Sequence, residues 1–117
     1  MEDELRAAVR GTAPTLVVDL HGALTTLGSE VLETALEDAR RLAAHTVLLN
    51  FHDVDYINSA GVAVLIRLMG RMRETDQKLA FVELQPHYRK VFHMMGLFQF
   101  APVFDSEREA IETLQLS

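Results

Sequence analysis

The sequence lacks cysteine and tryptophan altogether, and aromatic residues make up only 7% of it. Without cysteine, disulfides, thiolate catalysis and cysteine metal sites are excluded. Long apolar runs are also missing: no stretch approaches the roughly 20 residues that a membrane helix needs, and the charged segment 1–11 lacks the apolar stretch of a signal peptide. We therefore expect a cytoplasmic protein that does not insert into a membrane.

Basic residues are scarce as well. The 11 Lys and Arg residues stand against 17 Asp and Glu residues, which gives a formal net charge of −6. A nucleic-acid binder needs a basic footprint for the phosphate backbone, and an anionic membrane attracts basic segments. The charge therefore predicts no nucleic-acid partner. It leaves protein partners, small ligands or a simple contribution to solubility open.

The residues that are present suit a folded chain. Apolar residues make up 49% of the 117 positions, enough for a core built from Leu, Val, Ile, Ala and Met. The length fits one domain and leaves little room for a second. We predict a single domain over residues 1–117.

Apolar periodicity divides the chain into alternating strands and helices. The predicted strands are 4–10, 15–20, 46–51, 78–84 and 101–104. The predicted helices are 29–43, 60–73, 86–95 and a last one, capped by Asp105 or Ser106, that runs to about Leu114. Alternation of this kind predicts an α/β fold, with four or five strands in a mostly parallel sheet, an antiparallel N-terminal edge strand and four helices.

The segment between the strand 46–51 and the helix 60–73 is read as a polar loop that carries candidate functional residues. Functional groups of open α/β sheets gather at the carboxyl ends of the strands. Ser59 is predicted at or just before the helix N-terminus, where a hydroxyl can accept a bond from a first-turn amide. A phosphate there would meet unpaired N–H groups and the positive end of the helix dipole. An ordinary N-cap is the commoner role for such a serine.

Three segments resemble one known family. VLLNFHDVDYINSAGVAVLI (47–66) is similar to the signature of the STAS domain family, which takes its name from sulphate transporters and anti-sigma factor antagonists. Its D-S-S-G tetrapeptide corresponds here to Asn58-Ser59-Ala60-Gly61. LVVDLHGAL (16–24) is similar to the family's early strand and G-x-L turn, and KLAFVELQPHYRKVFHMMGLFQF (78–100) to its late strand and following helix.

The resemblance implies a switch protein without a catalytic activity or a cofactor. Its unphosphorylated form would bind an anti-sigma factor protein kinase and free a sigma factor. Phosphorylation at Ser59 would end that binding, and a serine phosphatase would reverse it. The expected partner-binding residues lie around this loop and along the helix after it: Asp53, Asp55, Tyr56, Asn58, Ala60, Gly61, Val64, Leu68 and Thr25.

Several of these assignments carry alternatives. Val64 and Leu68 belong to a docking patch if they are exposed, and to the core if a neighbouring helix covers them. Gly61 either lets a partner approach closely or packs against the sheet. Met69, Met72, Met94 and Met95 are either core or adaptable binding surface. Val62, Leu65, Ile66 and Met69 form the stripe expected to face the sheet.

The chain departs from the family pattern at three positions. Asn58 replaces the usual Asp, Ala60 replaces the second Ser and so points to Ser59 alone, and Thr25 replaces an acidic residue after the early turn. A second function therefore stays open, that of a non-catalytic STAS scaffold or ligand-binding subunit of another signalling or transport-linked assembly. A homodimer is also open.

Enzymatic and metal-binding roles have little support in the sequence. His52 with Asp53 and Asp55 has a loop-like spacing without further ligands. Ser59 is not in a GxSxG elbow, and the chain contains neither a GxxxxGK[ST] nor a GxGxxG motif. The acidic pair and the late lysine of a response-regulator receiver are also missing.

Overall fold

The structure is a computed structural model that describes residues 4–115. Five strands and four α-helices follow one another along the chain, with 3-10 turns at Thr26–Gly28 and Leu97–Gln99. The elements are β1 (Arg6–Thr12), β2 (Thr15–Leu24), α1 (Ser29–Arg41), β3 (Thr46–Ile57), α2 (Ser59–Glu74), β4 (Lys78–Val82), α3 (Pro86–Met94), β5 (Val103–Phe104) and α4 (Glu107–Gln115).

The strands form one sheet in the order β1-β2-β3-β4-β5. β1 pairs antiparallel with β2, and all other neighbours are parallel. This confirms the predicted fold class, including the antiparallel N-terminal edge strand. None of the helices in the described part of the chain is long and apolar enough to cross a membrane.

Helices cover both faces of the sheet. Along β3, Val47 and Leu49 pack into the main core with α1, α2 and α3, while Leu48 packs on the other face against α4. A strand buried on both faces has no polar side, which explains the continuous apolar run in this part of the sequence. Phe51, Phe81 and Phe92 meet edge to face in the main core, with ring centroids 5.5–6.2 Å apart.

β3 is six residues longer than predicted. The prediction of a polar loop from residue 52 onwards is therefore wrong for residues 52–57, which belong to the strand. The strand continues to Ile57 and stays paired with β2 as far as Leu24. Two register shifts on β3 explain the error. Each places an extra residue on β3, so the buried side chains Phe51, Val54 and Ile57 recur at every third position and the two-residue alternation of a strand is lost.

Candidate functional site

Ser59 is the first residue of α2, and its side chain is exposed. Its hydroxyl makes no hydrogen bond with any residue between 4 and 115. Of the two roles considered for this serine, that of an ordinary N-cap is therefore not the one observed. It points into solvent and is accessible to an enzyme that would modify it.

Asn58 caps α2 instead. Its Oδ1 accepts a hydrogen bond from the backbone N–H of Gly61 at 2.8 Å, and its C=O accepts one from Val62 at 3.0 Å. Its own N–H donates to the C=O of Leu24, 3.3 Å away, at the end of β2. An amide oxygen serves as well as a carboxylate for this cap, so the replacement of the family's usual Asp by Asn58 keeps the helix start intact.

Gly61 is buried where α2 passes over the end of β2. A Cβ atom at this position would lie 2.1 Å from the C=O oxygen of Leu24, far inside the contact distance. Of the two roles considered for Gly61, close packing against the sheet is the one observed, and its contact with a partner stays a prediction. Because no side chain fits here, the first turn of α2 lies directly against the backbone of β2.

The end of β3 is held by side chains from the start of α3. Beyond Asn50, β3 pairs with β2 but no longer with β4. Gln85 Nε2 donates to the C=O of Val54 at 3.1 Å, and the Tyr88 hydroxyl accepts from the N–H of Ile57 at 3.0 Å. These two side chains replace hydrogen bonds that a neighbouring strand would supply. Ile57 immediately precedes the cap of α2, so Tyr88 anchors the chain next to Ser59.

The exposed face of α2 differs from the predicted one. Val64 and Leu68 are only 6% and 3% exposed and belong to the main core, so their assignment to a docking patch is wrong. Ile66, expected to face the sheet, is 46% exposed. α2 packs against α1 as well as the sheet, which widens its buried arc and rotates Ile66 outward. Arg67 joins the two helices through hydrogen bonds to Ser29 and Glu33.

A flat stripe of solvent-exposed residues begins at Ser59 and runs along α2. Ala63, Ile66 and Gly70 follow at the helical spacing of three or four residues. Apart from Ile66, these side chains are small, so a partner protein can approach the helix closely. This stripe takes the place of the predicted Val64 and Leu68 surface beside Ser59.

The other predicted site residues surround the start of α2. Asp53 and Asp55 are exposed on the overhanging end of β3, Tyr56 is 37% exposed, and Ala60 is half-buried in the first turn of α2. Thr25 follows β2, and its hydroxyl accepts a hydrogen bond from the N–H of Leu27 at 3.2 Å. Thr25 thus caps the 3-10 turn that packs against α2. That these five residues contact a partner stays a prediction.

His52 does not join the neighbouring aspartates. Its Nδ1 lies 3.3 Å from Glu83 Oε1, and across residues 4–115 no three His, Asp or Glu side chains come together in a way that could hold a metal ion.

A polar cluster on the α4 side of the sheet was missed by the sequence reasoning. The Asn50 side chain is buried, and its Nδ2 donates to Glu83 Oε2 at 2.8 Å and to Glu107 Oε2 at 2.6 Å. Arg10 pairs with Asp19 and Glu107, and these two carboxylates raise the pKa of Arg10. The one available signal was the polar Asn50 inside an apolar strand. The cluster fixes the first turn of α4 to the sheet.

Comparison with known sequences points to one family. A model of the STAS domain family matches residues 6–110. BtrV of Bordetella bronchiseptica, named as a candidate anti-sigma factor antagonist, is 32% identical over 95 residues, which cover 81% of this chain and 82% of BtrV. The anti-sigma F factor antagonist of Paenibacillus polymyxa is 27% identical over 106 residues, which cover 86% of this chain and 87% of that protein.

Solved structures give the same result. The anti-sigma factor antagonist SpoIIAA in its unphosphorylated form matches with a TM-score of 0.68 at 26% identity, over 93% of this chain and 97% of SpoIIAA. The phosphorylated form of SpoIIAA from Bacillus matches with a TM-score of 0.69 at 24% identity, over 92% and 98% of the two chains. The chain therefore belongs to the STAS domain family, and the relatives it resembles are anti-sigma factor antagonists.

Proposed function

We propose that this chain is an anti-sigma factor antagonist whose binding is switched by phosphorylation of Ser59. In its unphosphorylated form it binds a kinase-type anti-sigma factor in the cytoplasm and releases a sigma factor. The kinase then phosphorylates Ser59, the complex separates, and a serine phosphatase restores the first form. The chain takes part as a binding protein and as a substrate, without a reaction of its own.

The observation that carries the proposal is the position of the Ser59 hydroxyl. It is exposed, it makes no hydrogen bond within residues 4–115, and it stands at the head of the Ala63, Ile66 and Gly70 stripe. A partner lying on that stripe covers the hydroxyl. SpoIIAA, which is similar in sequence and fold, has been solved in unphosphorylated and phosphorylated forms.

A phosphate on Ser59 would change the surface without unfolding α2. It adds about −1.5 to −2 charges at neutral pH. The N-terminus of α2 stabilises that charge through its dipole and its first N–H groups, so the helix tolerates it. A partner that must cover the phosphate has to desolvate an anion that adds to the negative charge of the exposed Asp53 and Asp55 nearby. A coupling free energy of roughly 1–3 kcal/mol between phosphorylation and partner binding is enough to weaken binding about 5–150-fold.

The experiment compares tagged variants as baits in the native cell. Wild type and Ser59→Ala are expected to retain one kinase-type anti-sigma factor, and Ser59→Asp is expected to lose it. Ser106→Asp is the matched control, because Ser106 caps another helix, α4, with its hydroxyl 3.1 Å from the N–H of Glu109. It carries the same charge change away from the α2 stripe and is expected to bind like wild type.

Intact-mass spectrometry then tests the modification itself. Incubation with the captured kinase and ATP is expected to add one phosphate to the wild type and none to Ser59→Ala. Phosphate on the Ser59→Ala variant would contradict the assignment of the site. Equal retention of the anti-sigma factor by Ser59→Ala and Ser59→Asp would show that charge at this position does not control the complex.

A further inference from the structure

The charge of this acidic chain is unevenly distributed. Residues 84–104 contain no Asp or Glu, although the whole chain has 17 of them, and the same segment holds Arg89, Lys90 and two histidines. In the structure this segment forms α3, the turn after it and β5. His87, Lys90 and Met94 recur at helical spacing on the outward side of α3, and Met94 is 78% exposed.

A groove of 460 Å³ lies between α3 and the edge of the sheet, lined by Pro86, Arg89, Lys90, His93, Phe98 and Val103. Its apolar surface comes from the proline, the phenylalanine and the valine, and all its ionisable side chains are basic. Arg89 is paired with Asp105 at 2.5 Å. Lys90 makes no ion pair within the described chain, so its charge is available to a ligand.

The outer edge of β5 forms one side of this groove. β5 is the last strand of the sheet and pairs with β4 on its inner side only. The N–H groups of Phe81 and Glu83 bond to the C=O groups of Pro102 and Phe104. Since backbone groups alternate along a strand, the C=O of the intervening Val103 is directed away from β4, at the outer edge of the sheet.

We propose that this groove is a second protein-docking surface, which binds an extended acidic segment of a partner protein beside β5. The uncompensated positive charge of Lys90 selects acidic side chains. In an extended peptide, apolar side chains alternate with the acidic ones, and these apolar side chains pack against Val103 and Phe98. The free edge at Val103 supplies main-chain hydrogen bonding of the kind used in strand addition. The surface goes beyond the proposed switch, since it shares no residue with the Ser59 site.

Fluorescence anisotropy with synthetic peptides tests the proposal on the full chain. The probes are three fluorescein-labelled heptapeptides in which Glu alternates with Val, Leu or Phe, and their counterparts with Lys in place of Glu. At least one Glu peptide is expected to bind, with an affinity that falls as NaCl is raised. The Lys counterparts are not expected to bind.

The two lysines of the chain provide a matched pair of variants. Lys90→Glu is expected to weaken binding of the Glu peptide about fivefold or more, because it reverses the only unpaired full charge that lines the groove. Lys78→Glu makes the same change at an exposed lysine outside the groove and is expected to bind like wild type. Equal weakening by both variants, or no binding of any Glu peptide, would overturn the proposal.

Two further measurements distinguish a peptide-binding groove from a membrane-binding surface and from the Ser59 site. Sedimentation with vesicles rich in phosphatidylserine tests a membrane partner. If the chain bound vesicles in a way that depends on Lys90 but bound no Glu peptide, the groove would be a membrane-binding surface and the proposal would be overturned. Ser59→Asp is expected to bind the Glu peptide like wild type. If Ser59→Asp lost the peptide and Lys90→Glu kept it, the peptide would be shown to bind at the Ser59 site, and the groove would be ruled out.

Discussion

The hydroxyl oxygen of Tyr88, on α3, accepts a hydrogen bond from the backbone N–H of Ile57, 3.0 Å away, at the end of β3. Ile57 is followed by Asn58, the cap of α2, and then by Ser59. α3 therefore supports the segment that presents the candidate phosphorylation site. The end of β3 has no strand on this side, and without Tyr88 a partly buried N–H would lose its partner.

Tyr88→Phe is expected to lower the free energy of unfolding by about 1 kcal/mol, because it leaves the N–H of Ile57 unpaired. Hydrogen exchange measured by NMR should show faster exchange of the Ile57 amide, with less change in β4. Tyr56→Phe is the control, since Tyr56 is 37% exposed and makes no side-chain hydrogen bond within residues 4–115. Slow exchange of Ile57 in the Tyr88→Phe variant would contradict the anchoring role.

Gly61→Ala is expected to lower the free energy of unfolding by about 3 kcal/mol, because its Cβ would meet the backbone oxygen of Leu24 at 2.1 Å. Neither backbone can yield without moving α2 away from β2. Gly70→Ala, in the same helix, has no atom within 4 Å of the new Cβ and is expected to stabilise by about 0.5–1 kcal/mol. Urea denaturation of both variants measures the difference, and a neutral Gly61→Ala would disprove the close contact.

Asn58→Ala is expected to lower the free energy of unfolding, measured by urea denaturation, by about 1 kcal/mol, because the Gly61 N–H loses its side-chain acceptor. Ser59→Ala, at the next residue, is expected to change stability by less than about 0.5 kcal/mol, since its hydroxyl bonds to nothing within residues 4–115. The reverse order of these two costs would mean that Ser59 caps the helix after all.

Asn50→Asp is expected to destabilise the fold by about 3 kcal/mol at neutral pH, because it places a buried third carboxyl against Glu83 and Glu107. Burial and like charge raise the pKa of the new carboxyl above its unfolded value. The protonated form is then favoured in the folded chain, so the deficit relative to wild type shrinks as the pH falls towards about 4.

Asn58→Asp is the matched control for this prediction. It makes the same chemical change at the N-terminus of α2, where a carboxylate caps the helix and meets the positive end of its dipole. Denaturation at pH 7 should therefore find Asn58→Asp within about 0.5 kcal/mol of wild type or more stable. Equal losses in the two variants would show that the surroundings of Asn50 do not distinguish a carboxylate from an amide.

The sequence by itself determined the fold class and the place of Ser59 at the start of a helix. Both depend on local information: strands and helices have different apolar periods, and the tetrapeptide 58–61 marks the start of a helix that is apolar enough to recognise. The same information revealed the resemblance to the STAS domain family. Asn58 was visible as a departure from the family pattern, but its role as the cap was not.

The tertiary structure alone decided how far β3 extends and which side of α2 is exposed. The two bulges at the end of β3 interrupt the two-residue alternation by which a strand is recognised in a sequence. They arise from the pairing of β3 with β2, which is a long-range contact. Val64 and Ile66 are both apolar, and only the packing of the folded chain buries the first and leaves the second in solvent. The Asn50 cluster likewise joins residues far apart in the chain, so no local pattern could predict which carboxylates Asn50 would meet.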